Sequence, residues 1–202
     1  MKKYWENFSE FDVSVSLKGE IEYITDIMPK DRTIKILDVG GGLGNFEVNL
    51  EKKGYKNITM LDMCEKSVSI AKTRLGYTNL MIHDVLKGLP FKDNEFDIAT
   101  CIEVLLHIDN PYFVLKELLR VSKTCIVSII NGVSSELSWN DCAISPHPLY
   151  FTPNWRTFRR GIECIGGKTI SVKYFNHNYK LIRNIFPRLL CSSFIVTMEK
   201  VI

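Results

Sequence analysis

Asp38-Val39-Gly40-Gly41-Gly42-Leu43-Gly44 sets a carboxylate at the end of an apolar, β-branched run and follows it with glycines at every second place. A turn with so little side chain lets a ligand lie against bare backbone between a strand and the helix after it. That is chemistry for a nucleotide-like cofactor. The dinucleotide fingerprint G-x-G-x-x-G does not fit, because its third glycine falls on Asn45 counted from Gly40 and on Glu47 counted from Gly42. The phosphate loop G-x-x-x-x-G-K-[ST] fails as well, since no Lys-Ser or Lys-Thr follows the turn. Asp38 suits a ligand carrying an ammonium group and would repel a pyrophosphate.

Two more acids stand in the same relation to apolar runs. Asp62 closes Ile58–Asp62, 18 residues after Gly44, where a carboxylate can accept from both hydroxyls of a ribose. NAD enzymes use the same contact, so Asp62 supports an adenosine cofactor without choosing which one, and an Asp in that place can also cap the following helix. Asp84 follows Leu80–His83; a carboxylate there can accept from an exocyclic amine while the Val85 N–H donates to a ring nitrogen. In a doubly wound sheet these strand ends lie side by side at the ligand crevice. A fourth constellation is Cys101-Ile102-Glu103-Val104-Leu105-Leu106-His107-Ile108. On a helical turn Glu103 and His107, four apart, would share one face. A His can take a proton from a hydroxyl or amine near neutral pH, or simply pack against backbone.

Asp38-x-Gly40-x-Gly42-x-Gly44 after an apolar strand resembles the first motif of the S-adenosylmethionine (SAM)-dependent methyltransferases of Rossmann-like fold, in particular their small-molecule group. Leu89-Pro90-Phe91, Phe96-Asp97 and Cys101–Ile108 are similar to that family's stretch ending in E-V-L-x-H. The resemblance covers roughly residues 34–130. It implies SAM as cofactor and S-adenosylhomocysteine as product. It implies Asp38 for the methionine ammonium, directly or through water, and Gly40, Gly41, Gly42 and Gly44 for close approach. Asp62 would take the ribose, Met63 the adenine face, and Asp84 with Val85 the adenine end. Glu103 would stand beside the cofactor, and His107 is the candidate base. Some magnesium-dependent members carry Glu at both the first and fourth places before the His; here the fourth is Leu106, so no metal is expected. The amino-methylating members often read [DNS]-P-P-[YFW] after the fourth strand, where this chain reads Cys101-Ile102-Glu103-Val104. A small-molecule acceptor is therefore expected, with a nucleic-acid methyltransferase or a SAM-binding protein without catalysis as alternatives.

These side chains need a scaffold, and the patterning supplies one. Strand and helix patterns alternate without an internal repeat or Gly/Ser linker, which favours an α/β domain over residues 1–202. Phe46–Lys53 reads as a helix stopped by Gly54, and Glu65–Leu75 as a helix ending at Gly76. Phe96–Ile102 and Thr124–Ile130 are strands. Asn110-Pro111 and Thr152-Pro153 are helix starts, an N-cap followed by proline. Phe113, Leu115, Leu118 and Leu119 are expected inward on one helix, and Trp155, Phe158 and Ile162 lie on the next. Strands near Thr169–Phe175 and Ser193–Val201 close the chain. The family resemblance implies a three-layer sandwich around a seven-stranded, mostly parallel sheet of order 3-2-1-4-5-7-6, strand 7 antiparallel. Tyr4, Phe8 and Phe11 recur at helical spacing beside Trp5, so residues 1–20 suggest an N-terminal lid. Residues 131–151 and 176–192 suggest insertions for substrate or partner.

Composition adds exclusions. A net charge of +3 over 202 residues, with no dense Lys/Arg run, gives no electrostatic case for nucleic acid; Arg156, Arg159 and Arg160 with Lys168 read as a solvated face. Six scattered cysteines without a C-x-x-C pair point to reduced thiols, with Cys101, Cys125 and Cys164 in apolar runs. The apolar runs fall short of the ~18 residues a membrane span needs, and the N-terminus lacks a signal core. No membrane partner and a cytoplasmic location are expected.

Overall fold

The computed structural model describes residues 14–132, 151–175 and 193–201. The first half alternates helix and strand: α1 (Ser14–Ile27), β1 (Ile36–Val39), α2 (Asn45–Lys52), β2 (Ile58–Asp62), α3 (Glu65–Arg74), β3 (Thr78–Ile82) and β4 (Phe96–Ile102). Then come α4 (Pro111–Val121), β5 (Ser122–Ile130), α5 (Trp155–Cys164), β6 (Gly167–Phe175) and β7 (Ser193–Lys200). The strands form one sheet of order β3-β2-β1-β4-β5-β7-β6, parallel from β3 to β5, with β7 antiparallel to both its neighbours. This is the expected order. Between β1 and β4 the chain changes direction of winding, which is where ligands settle in open α/β sheets.

Strand alternation divides the core. Ile36, Ile58, Ile98, Ile126 and Ile195 face α1 and α2, meeting Ile21, Ile24, Phe46 and Leu50. Their neighbours Leu37, Ala99, Val127 and Val196 face α4 and α5, meeting Leu115, Leu118, Phe158 and Ile162. All four residues of β1 are buried, as a central parallel strand covered on both faces requires.

Helix α4 begins as expected: Pro111 is its first residue and the Asn110 side chain accepts from the Phe113 N–H at 3.3 Å. Phe113 itself, expected inward, is 37% exposed, while Val114 is fully buried. The inward face runs through positions 111, 114, 115 and 118, the 3–4 spacing of a helix, and Phe113 falls beside it. At α5 the cap is Asn154, accepting from the Thr157 N–H at 3.0 Å, so Pro153 precedes the cap instead of following it. Cys64, Cys101 and Cys125 are buried free thiols, but Cys164 is exposed because α5 buries the face of Phe158 and Ile162.

Of the proposed lid, residues 14–20 begin α1; residues 1–13, with Tyr4, Trp5, Phe8 and Phe11, lie outside the described residues, as do 133–150 and 176–192 with Cys142 and Cys191. Among the described residues no helix is long and apolar enough to cross a membrane. The Asn110 cap is testable: Asn110→Ala should lower unfolding free energy by about 1 kcal/mol and Asn110→Ser by much less. Urea midpoints at constant slope measure this, and equal losses for both would count against the cap.

Candidate functional site

The glycine turn leaves β1 and is tied at once to β2. The Gly40 and Gly41 N–H groups donate to the Leu61 carbonyl at 2.7 and 3.2 Å. The every-second spacing has a conformational meaning: Gly40, Gly42 and Gly44 have φ of 81°, 57° and 77°, a region costly for other residues. Gly40 is doubly constrained, because a Cβ there would run into Val104, two residues past β4. Over Gly42 the space is open, with nothing within 4 Å of where a Cβ would stand.

Asp62 is the brace of this turn. Its Oδ2 accepts from the Gly42 N–H at 2.9 Å and its Oδ1 from the Cys64 N–H at 2.8 Å. Burial pushes its pKa up, against the backbone amides that hold it down. The Met63 amide also acts on this carboxylate, so about one of its roughly four acceptor positions remains for a ligand. Past β3, Asp84 caps a single 3₁₀ turn, Val85–Lys87, accepting from the Leu86 N–H at 3.1 Å. The His83 N–H donates to the Asp62 carbonyl at 2.9 Å, which joins the two segments. Asp38, Asp62 and Asp84 thus stand at or next to the ends of three adjacent strands.

Asp38 is only 2% exposed and accepts from the Thr100 hydroxyl. Burial raises its pKa to about 6, and the nearby Asp62 charge adds to the effect. Beside it stands a residue that motif reading passed over. Glu47, in the first turn of α2, is fully buried, with its carboxyl against that of Asp38. Burial first, and the Asp38 charge second, push its pKa well above the carboxylate range. A signal did exist: Glu47 shares the buried face of α2 with Leu50, three places on.

Glu103 and His107 do not share a helix face. Glu103 adopts a left-handed φ of 54°, and the only helical turn here is the 3₁₀ segment Leu105–His107. The turn starts too late to include Glu103. Instead, the Ser128 hydroxyl of β5 donates to Glu103 Oε1 at 3.0 Å and accepts from the Glu103 N–H at 3.0 Å. Fully buried Glu20 of α1 accepts from the Ser193 hydroxyl of β7. Burial, followed by the charge of Glu20, raises the Glu103 pKa to about 8. The Phe151 N–H donates to the Leu106 carbonyl at 3.2 Å, and the Gly132 N–H to the Pro153 carbonyl at 3.2 Å. The two ends of segment 131–151 therefore meet beside the turn that carries His107. Glu20, Ser128 and Ser193 come from distant stretches, and no local pattern marks them.

Residues 37–124 match a family model described as a methyltransferase domain. The chain is 28% identical over 132 residues to a ubiquinone biosynthesis O-methyltransferase of Dechloromonas aromatica, covering 60% of this chain and 53% of that protein. It is 32% identical over 142 residues to the protein of that name from Glaesserella parasuis, covering 64% and 60%. It thus spans between half and two thirds of the length of these relatives. Among solved structures, magnesium protoporphyrin IX methyltransferase from Synechocystis with bound S-adenosylhomocysteine superposes with TM-score 0.69 at 15% identity, covering 93% of this chain and 83% of that one. The [4+2]-cyclase SpnF superposes with TM-score 0.69 at 16% identity, covering 90% and 80%. At such identities these structures speak for the fold.

The sheet order and the glycine motif are those of the class I, Rossmann-like SAM-dependent methyltransferases, and residues 37–124 match a methyltransferase domain. The cofactor of that class is SAM, and the residues present fit it. Buried Asp38 suits an ammonium, Asp62 keeps acceptor capacity for ribose hydroxyls, and the backbone over Gly42 is open.

The raised Glu103 pKa fixes a sign. From its ordinary 4.5 to about 8 the folded chain holds a proton that the unfolded chain has released, so this group's contribution to stability falls as pH rises through that window. Glu103→Gln should therefore reduce the decline in urea midpoint between about pH 5 and 8. An unchanged slope would show that Glu103 does not hold the proton.

Proposed function

We propose that this chain is a SAM-dependent methyltransferase acting on a small-molecule acceptor, and specifically on a hydroxyl. The observation that carries the donor half is the run of Asp38, Asp62 and Asp84 along adjacent strands β1, β2 and β3 around a left-handed glycine turn. The hydroxyl rests on the O-methyltransferase relatives.

When bound, the donor supplies a methyl group on a sulfonium that needs no further activation. The chain's own residues then have three tasks. Asp38 would hold the ammonium, Asp62 the ribose hydroxyls, and Asp84 with the Val85 amide the adenine end, with Met63 against the ring. Gly40, Gly41, Gly42 and Gly44 would give the ligand access to backbone. On the acceptor side Glu103, held largely protonated at neutral pH, would donate a hydrogen bond, and His107 would take the proton from the acceptor hydroxyl. Gly132 and Phe151, bonded to Pro153 and Leu106, would border the acceptor beside the turn that carries His107. Orientation of this kind lowers barriers by about 7–11 kcal/mol in well-aligned systems.

A second reading, a SAM-binding protein that transfers no methyl, is favoured by one observation: the fold is shared equally well with a protein named as a cyclase. Calorimetry on the full chain should give a dissociation constant on the order of micromolar for S-adenosylhomocysteine, about −8 kcal/mol, lost in Asp62→Ala. Labelled SAM with a metabolite extract should then mark a small hydroxylated product. Binding without labelling would favour the second reading, and no binding by folded protein would overturn both.

A further inference from the structure

Glu47 has a place in the site, and the side chain it meets is another acid, Asp38. Burying one carboxyl against another is costly, and a side chain of similar size without polar atoms would fill the space at less cost. Its position is not incidental. Glu47 Oε1 lies 2.7 Å from where a Gly41 Cβ would stand, so the carboxyl sits directly beneath the cofactor-facing turn. It also lies beside Asp38, and each acts on the other.

The groups acting most strongly on these two carboxyls are acidic or neutral. From β2 come Asp62 and the apolar side chain of Met60. From β4 comes the Thr100 hydroxyl, donating to Asp38, together with the Cys101 thiol, whose own pKa is pushed up by burial and by Asp38. Two adjacent carboxyls buried in such company cannot both ionise, so the pair keeps one proton. A cation of the right size changes that balance, because it favours the charged form of both. The amino-acid end of the donor carries such a cation, an ammonium with three N–H groups.

Resting on the donor reading of this site, we propose that Asp38 and Glu47 form a one-proton carboxyl pair beneath the glycine turn and that binding of the donor's ammonium expels the proton. Asp38 meets the ammonium. Glu47, with the Gly41 backbone above it, acts through Asp38 and is a positioning residue. On binding, the O–H bond of the pair breaks, its electrons stay on the carboxylate, and the proton passes to solvent. The pair goes from one negative charge to two against the one positive charge of the ligand. No oxidant or reductant enters.

Calorimetry of the full chain tests this, run between about pH 5.5 and 8 in buffers of different ionisation enthalpy, which counts protons released on binding. S-Adenosylhomocysteine should release close to one proton near neutral pH and bind up to about tenfold tighter per pH unit below the pair's apparent pKa. 5′-Methylthioadenosine, which lacks the amino acid, should bind without proton release. Glu47→Gln should abolish the release at neutral pH, flatten the pH profile for S-adenosylhomocysteine and leave methylthioadenosine binding unchanged. Glu47→Asp should restore part of the release. Equal proton counts for the two ligands in the unsubstituted protein would overturn the proposal, and this comparison decides even where Glu47→Gln does not fold. So would a proton count that survives Glu47→Gln. Failure of both ligands to bind folded protein would instead remove the donor reading, and this proposal with it.

Discussion

Everything in the site depends on one carboxylate holding one turn. Asp62 accepts from the Gly42 N–H and from the Cys64 N–H, and so locks the glycine turn of β1 to the start of α3. The turn can be locked only because its glycines take left-handed backbone, and it must be glycine at Gly40 because Val104 occupies the space a Cβ would need. The same contact couples the two halves of the site, since Val104 follows Glu103 directly. A residue expected to meet a ligand is therefore also structural. Loss of ligand binding in a variant at Asp62 therefore mixes two causes, a missing acceptor and a released turn.

Burying Asp38 and Glu47, with Asp62 close by and Glu20 near Glu103, opposes folding, because desolvation raises the free energy of each charged form. The chain offsets this with a sheet whose central strands are covered on both faces. Isoleucines at 36, 58, 98, 126 and 195 pack one way, and Leu37, Ala99, Val127 and Val196 pack the other. Protonation lightens the electrostatic cost, which is why the acids here shift upward while half-buried Asp97, paired with Lys123 at 2.7 Å, shifts downward. Stability and ligand chemistry thus pull on the same groups in opposite directions.

Where function is written in consecutive residues, the sequence was readable. The glycine spacing, the strands ending at Asp62 and Ile102 and the Asn110 cap are local chemistry, and each stands in the structure where the pattern puts it. Local reading failed when one position decided the outcome. Phe113 and Val114 differ by a single step round α4, and at α5 the proline stands before the cap instead of after it. The supposed Glu103–His107 face failed for a different reason: E-V-L-L-H has helical spacing, but Glu103 leaves β4 through a left-handed residue before any helix starts. Such strain is set by what surrounds it, here Ser128 bonded to both its amide and its carboxyl.

The two sides of the site differ in how they are assembled. The proposed donor side comes from one continuous stretch, Asp38 to Val85, in which each strand hands over to the next, and so a single chain segment can carry its signature. The polar cluster around Glu103, the proposed acceptor side, is built from α1, the end of β4, β5 and β7, four pieces separated by most of the chain. Their polar groups meet only because β7 runs antiparallel beside β5 and brings Ser193 to the end of the sheet where Ser128 and Glu103 stand. Glu20 reaches them because α1 buries Ile21 and Ile24 against the sheet and so turns its acid toward the same end. A donor site made of neighbours can stay constant while this convergence changes one piece at a time, which is how one scaffold can serve different acceptors.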